Sequence, residues 1–227
     1  MNNLTLLYYT ANVIPAATAK KVRNYLLTVT ENNYPIVSVS QKPINFGQSI
    51  CVGAIGQSNY NCYKQILTGA KEVRTKYLAC CEDDTLYNAE HFTHRPSGDD
   101  TFTYNSHTWF SENKIFWKQE DMSGMCFYIA PTELLIKILT PRFEKYPTPP
   151  RDLHHWAEPG KFESELFGIP NPKVETFRTK DPVVTFGYRG SLSGKRKRYG
   201  LPNPDYYTEH LEPFGEARDT WRRFWDE

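Results

Sequence analysis

Three consecutive carboxylates, Glu82-Asp83-Asp84, end the apolar run Lys76-Tyr77-Leu78-Ala79-Cys80-Cys81. A short apolar run closed by charge predicts a buried strand rather than a helix. Strand side chains alternate between faces, which puts Glu82 and Asp84 on one side and Asp83 on the other. Two hard oxygen ligands on one face, at the exposed end of a buried strand, suit a divalent cation carrying a phosphorylated ligand. A solvated acidic turn has the same spacing, so the surrounding elements must decide between the two.

A second chemical signal is Gly187-Tyr188-Arg189-Gly190-Ser191-Leu192-Ser193-Gly194-Lys195-Arg196-Lys197-Arg198. Glycines, serines and cations in alternation can bring backbone N–H groups and positive charge onto a diphosphate. Ser191, Ser193, Lys195 and Arg196 are therefore candidate phosphate contacts. The Gly-Lys-Ser or Gly-Lys-Thr that closes a P-loop is missing. The segment reads as a lid over a diphosphate, as a basic finger on a nucleic-acid backbone, or as a solvated basic loop. Tyr206, Tyr207, Trp221, Phe224 and Trp225 lie close to this and a second basic stretch, Arg222-Arg223. That mixture suits sugars or nucleobases held by ring faces, and equally suits a tail packed on the domain.

Charged residues make up 23% of the 227-residue chain and hydrophobic residues 39%, an ordinary globular composition that excludes a disordered chain. No apolar run reaches the roughly 18–20 residues a bilayer-spanning helix needs. The start, Met1-Asn2-Asn3-Leu4-Thr5-Leu6-Leu7, has neither a basic region nor a small-residue cleavage site, so no signal peptide is expected there. Five cysteines without CxxC spacing argue against zinc or a disulfide framework and for reduced thiols in the cytoplasm.

The elements that would position the carboxylates follow from periodicity. Residues 4–9 read as a first strand and 15–31 as an amphipathic helix opened by Pro15. Residues 35–40 alternate as a second strand, which implies a parallel crossover. Residues 41–57 are mostly loop with a short strand at 50–52. Tyr63, Ile66, Leu67, Ala70 and Val73 mark a helix over 58–74 that leads into the 77–84 strand. The triplet then sits at the carboxyl end of a parallel strand, where open α/β sheets bind ligands. Residues 88–120 suggest hairpins or an insertion over that face. A turn at Asp121-Met122-Ser123-Gly124 precedes a buried strand ending at Ala130. A helix at 132–139, a proline linker, a short helix at 162–167 and a strand at 183–186 complete the chain. The expected organisation is an α/β domain over 1–186 with a basic, aromatic extension over 187–227 packed on it.

This order of elements, with the acidic triplet, the Ser123-Gly124 turn-plus-strand and the segment Glu158 to Gly168, resembles nucleotide-sugar glycosyltransferases of the GT-A type. The resemblance spans roughly residues 4–168 and implies a Rossmann-like, mostly parallel central sheet flanked by helices. In that family an Asp-x-Asp motif holds Mn²⁺ or Mg²⁺ against the donor diphosphate; here the first acid is Glu82. The resemblance assigns the metal to Glu82 and Asp84, the donor ribose to Asp83, and the nucleobase to Thr10 and Asn12. It makes Glu163 or Glu165 the base of an inverting reaction, with Glu163 the better match to a helix start. The family's third metal ligand is often a histidine or acid near the C-terminus; Tyr188 stands at that place, and His154, His155 and His210 are the alternatives. A UDP-sugar donor is implied. Compact phage enzymes that modify hydroxymethylated pyrimidines share this general look, which implies double-stranded DNA carrying modified cytosine as an acceptor and the host cytoplasm as the location. No membrane and no obligate protein partner is expected. A non-catalytic nucleic-acid-binding protein and a metal-dependent nucleotidyltransferase are the rival readings.

Overall fold

Leu4–Thr10 (β1) is buried along its whole length, as its unbroken apolar and aromatic run requires of a strand with neighbours on both sides. In the computed structural model, which describes residues 3–112, 115–119, 124–149, 158–160, 162–188 and 207–225, β1 pairs in parallel with Ile36–Ser40 (β2) and with Tyr77–Glu82 (β4). Gln48–Cys51 (β3) extends the sheet in parallel beyond β2. The crossovers are Ala16–Val29 (α1) and Asn59–Ala70 (α2). Thr18, Ala19, Val22 and Leu26 give α1 its buried stripe at three- and four-residue spacing. Ser58 caps α2 by accepting the Asn61 N–H at 3.1 Å.

Close packing of α2 on the sheet needs a residue without a side chain. At Gly69 an added Cβ would lie on the Leu7 δ-methyl and 2.8 Å from Val39 Cγ2. The approach lets Tyr63, Ile66, Leu67 and Ala70 join Leu7, Val39, Leu78 and Cys80 in one core on this side of the sheet. A second core on the other side gathers Leu4, Leu6, Tyr8, Ala79, Cys81 and Ile129.

Past the acidic turn the chain leaves the sheet, forms the two-residue strand Thr85–Leu86 (β5), and returns as Thr101–Asn105 (β6). Thr108–Glu112 (β7) and Ile115–Gln119 (β8) make a hairpin. Tyr128–Pro131 (β9) fits antiparallel between β4 and β6, and Lys173–Phe177 (β10) adds a parallel edge to β6. The central sheet is thus seven strands in the order β10-β6-β9-β4-β1-β2-β3, with β9 alone reversed. This is the mostly parallel α/β architecture expected from the sequence. Val183–Phe186 (β11) belongs to a second sheet with β5, β7, β8 and Tyr207–Thr208 (β12).

Two local expectations need correction, and one strand lies where none was expected. The 88–120 region is no separate insertion, because β6 is an interior strand of the central sheet. The helix after β9, Thr132–Lys145 (α3), runs past the expected end at 139 and carries Pro141 within it. The 170–182 stretch holds β10 despite its prolines, which flank the strand and leave its N–H groups in register. Glu163–Phe167 (α4) forms where expected and ends on Gly168 in the left-handed conformation (φ 65°). His210–Leu211 (β13) and Gly215–Glu216 (β14) form a small hairpin before Ala217–Phe224 (α5). Phe224 of α5 packs against Tyr25 of α1 and against Phe186. Among the described residues no helix is long and apolar enough to cross a membrane. All five cysteines are free thiols.

Candidate functional site

The strand β4 stops at Glu82, and Asp83 and Asp84 form the turn that follows. The period-two alternation expected through residue 84 therefore ends two residues early. As a result Glu82, Asp83 and Asp84 all line one cleft, together with Tyr9, Thr10, Ala11, Val13, Gln57, Cys62, Met125 and Tyr188. The cleft encloses about 490 Å³, its solvent mouth included, and lies at the carboxyl ends of β1 and β4.

Each carboxylate is held differently. Glu82 accepts the Tyr9 hydroxyl proton at 2.7 Å and a hydrogen bond from the Cys126 thiol. Asp83 accepts from the Thr10 hydroxyl, which itself accepts the Asn12 N–H at 2.8 Å. Asp84 accepts from the Thr85 hydroxyl at 3.2 Å. Asp83 and Asp84 are buried and Glu82 is half-buried. Burial raises all three above the ordinary carboxylate range, in part offset by these hydrogen bonds. Asp83 is pushed up to about 6, first by burial and then by the Glu82 charge. Asp84 is pushed well up by burial and by both acidic neighbours.

No lysine or arginine is among the described residues that line the cleft. Three carboxylates, two of them buried, lining one cleft without a described lining cation offer oxygen ligands that a divalent cation would use. Among the described residues no three His, Cys, Asp or Glu converge as a full ligand set. A Mg²⁺-like ion held by one or two carboxylates takes its remaining ligands from phosphate oxygens and water. The residues present fit that kind of site.

The other expected residues fall into place as follows. Thr10 lines the cleft through its contact with Asp83. Asn12 takes φ 55° and turns its side chain away: Oδ1 accepts the N–H groups of Gln41 and Lys42, each at 2.8 Å. Gln41 in turn clamps Gly56, donating to its carbonyl at 2.8 Å and accepting its N–H at 2.9 Å. Asn12 thereby ties the loops after β1, β2 and β3 together, and through Gly56 it fixes the neighbour Gln57 in the cleft wall.

Glu163 calls for a correction. Its side chain has no exposure, pairs with the equally buried Arg142, and accepts the N–H groups of Gly160 (3.0 Å) and Phe162 (3.2 Å). A carboxylate so enclosed cannot reach an acceptor hydroxyl. The expected helix-start position is real, and the structure uses it as an anchor. Because β9 is reversed, α3 begins at the far end of the sheet and its last turn returns Arg142 to the end where the cleft lies. Arg142 rests on the Tyr63 ring at 5.6 Å, beside Cys62 in the cleft wall. Glu165, in the same short helix, is exposed. His210 binds Glu216 at 2.8 Å and Glu212 at 3.1 Å on the small hairpin, and does not line the cleft. Ser191, Ser193, Lys195, Arg196, His154 and His155 lie outside the described residues.

Sequence reasoning missed Tyr9, Gln57, Cys62 and Met125. Tyr9 and Cys62 carry a usable signal, since each stands at the cleft end of a predicted element. Gln57 and Met125 stand in connecting loops and carry none. Tyr188, at the place of the family's third metal ligand, lines the cleft, and Gln57 hydrogen-bonds its phenol.

No protein-family model matches the chain, and no curated protein matches it in sequence. Among solved structures it is similar to a glycosyltransferase involved in the glycosylation of the major capsid of PBCV-1, at 9% identity over 87% of this chain and 98% of that one, with a TM-score of 0.47. It is also similar to S. aureus TarS 1-349 in complex with UDP-GlcNAc, at 9% identity and TM-score 0.48, covering 86% of this chain and 61% of that one. A nucleotidyl transferase from Methanothermobacter thermautotroptrophicus aligns at 9% identity and TM-score 0.40 over 62% and 76% of the two chains. Likenesses this distant identify no activity for this chain.

Proposed function

We propose that the protein is a metal-dependent glycosyltransferase that moves a sugar from a nucleotide donor of the UDP type to an acceptor hydroxyl. One observation carries the reading: three consecutive carboxylates, two of them buried, line one cleft at the carboxyl ends of parallel strands, with no cation in its described lining. Glu82 and Asp84 would hold Mn²⁺ or Mg²⁺, and such an ion supplies Lewis-acid stabilisation of the charge on a departing diphosphate. Asp83, oriented by Thr10, would accept from the donor ribose. The Asn12–Gln41–Gly56 chain of hydrogen bonds would hold the loops that flank the nucleobase. Glu165 is the acid of α4 exposed enough to take an acceptor proton, with the Arg142–Glu163 pair fixing the helix that carries it. The Ser191, Ser193, Lys195 and Arg196 segment would bring opposing charge to the diphosphate.

The acceptor to try first is a hydroxymethylated pyrimidine in phage DNA, suggested by the basic stretches at 195–198 and 222–223. Incubating the protein with hydroxymethylcytosine DNA, Mn²⁺ and a panel of UDP-sugars should add the mass of one hexose or pentose to the base. Transfer to a saccharide with no gain on DNA would reject the DNA acceptor and keep the enzyme class. Release of the sugar 1-phosphate, with UMP transferred, in place of intact UDP would favour nucleotidyl transfer.

A further inference from the structure

Tyr188 sits just past β11, half-buried, with its ring in the cleft lining. Its phenol feels the charges of Asp84, Asp83 and Glu82, in that order, and the Gln57 side chain hydrogen-bonds it from the opposite loop. Behind it runs a row of rings. Tyr188 packs on Trp225 at 5.1 Å and 31°, Trp225 on Trp221 at 5.0 Å and 28°, and Trp221 meets Phe186 edge-on at 5.6 Å. Aromatic side chains have few rotatable bonds and stack with defined geometry, so such a row holds its last member at little entropic cost. The row starts on α5, far away in sequence, and ends at the acidic turn.

We propose that Tyr188 contacts the ligand of this cleft, donating its phenolic hydrogen bond to a diphosphate oxygen, and that Trp225 is the positioning residue that aims it. The inference rests on the nucleotide-sugar reading above and adds a residue to it. A neutral phenol is both donor and acceptor. The Gln57 side chain hydrogen-bonds the phenol, and its amide N–H groups can serve the phenol oxygen. The phenol's own proton is then available to an anion that enters the cleft. Being uncharged, it serves a phosphate oxygen without a full ion pair, on a wall whose described charged groups are all carboxylates.

The test measures the affinities of UDP, GDP, CDP and dTDP by calorimetry with Mn²⁺, then compares the tightest of them with its monophosphate. Tyr188→Phe should weaken the diphosphate about tenfold, as expected for a lost hydrogen bond to a charged group, and leave the monophosphate nearly unchanged. Trp225→Leu should give a smaller loss with the same diphosphate selectivity, and Trp225→Phe should restore it. Thermal unfolding of each variant checks that the fold is kept. Equal binding by Tyr188→Phe and the wild-type protein, or equal losses for both nucleotides, would overturn the inference and leave the nucleotide-sugar reading standing. No binding of any nucleoside diphosphate to the wild-type protein at millimolar concentration would overturn both.

Discussion

At the scale of single residues, the acidic turn is built against its own electrostatics. Asp83 and Asp84 are buried beside one another with hydroxyl and backbone N–H donors as their described hydrogen-bond partners. Such a cluster costs stability until a cation offsets it. Glu82→Gln with Asp84→Asn should therefore fold at least as stably as wild type in metal-free buffer. Mn²⁺ should raise the melting temperature of the wild-type protein and leave the double variant unmoved; at a hundred times Kd the gain is about 2.7 kcal/mol. Thermal scans with and without MnCl₂ decide it, and an equal rise in both proteins removes the metal from these residues. The Arg142–Glu163 pair gives the opposite case, a buried charge pair already complete. Glu163→Gln removes a fully buried carboxylate from the Arg142 guanidinium and from the Gly160 and Phe162 N–H groups, and should cost about 3–5 kcal/mol in urea unfolding. Replacing both by apolar residues, Arg142→Met with Glu163→Leu, should recover much of that loss. A cost below about 1 kcal/mol for the single change would mean the pair is not enclosed as described.

At the scale of elements, the parts readable from sequence are helices with one buried face and strands whose short apolar runs are buried on both. β1, α1, β2, α2 and β4 fall into this class, and with them the end of the sheet that carries the site. The acidic turn was legible as a position and not as a geometry, because alternation holds only while the strand continues, and β4 ends at Glu82. β6 and β10 were hidden because their partners are distant in sequence and β10 is an edge strand with few buried residues. The role of Glu163 was hidden because a helix-start acid looks alike whether it meets solvent or Arg142. His91 is a further case. It lies in the 3₁₀ turn Ala89–Thr93, fully buried among Tyr87, Phe92 and Phe177, and Asn105 donates to its Nδ1 at 3.3 Å. Burial, with a smaller push from His94, holds its pKa down at about 3. The unfolded chain takes up the proton near pH 6.5 and the folded chain refuses it, so this residue's contribution is intact above pH 6.5 and is lost as pH falls toward 3. Its share of the slope is about 1.4 kcal/mol per pH unit. Urea midpoints between pH 7 and 4.5 should fall less steeply in His91→Asn than in wild type; parallel curves would show that His91 takes up its proton in the folded state.

At the scale of the whole molecule, the two sheets are joined at the candidate site. β4 ends in the central sheet at Glu82, and β5 opens the second sheet at Thr85, so residues 83 and 84 form one of several links between them, the β6–β7 and β10–β11 connections being others. The Phe186 N–H of β11 donates to the Asp84 carbonyl at 2.8 Å, and the Thr85 and Thr185 hydroxyls meet at 3.1 Å. The second sheet is covered by α5, whose Phe224 is 3% exposed and shares a core with Phe186, Phe116, Val184 and Val22 of α1. A cavity there removes packing from the second sheet and from a crossover helix of the first. Phe224→Ala should cost about 3–5 kcal/mol. The whole chain should pay that cost as one unit. Tryptophan fluorescence tests this, since four of the five tryptophans, Trp109, Trp117, Trp221 and Trp225, lie in the second sheet, on α5 or at its C-cap, Trp156 being outside the described residues, while far-UV circular dichroism is dominated by the central sheet and its helices. Coincident urea transitions from the two signals, both moved to lower midpoint by Phe224→Ala, are the expected result. If fluorescence alone shifts and dichroism holds its wild-type midpoint, the second sheet unfolds separately, and the carboxylate turn is a hinge between two independent units.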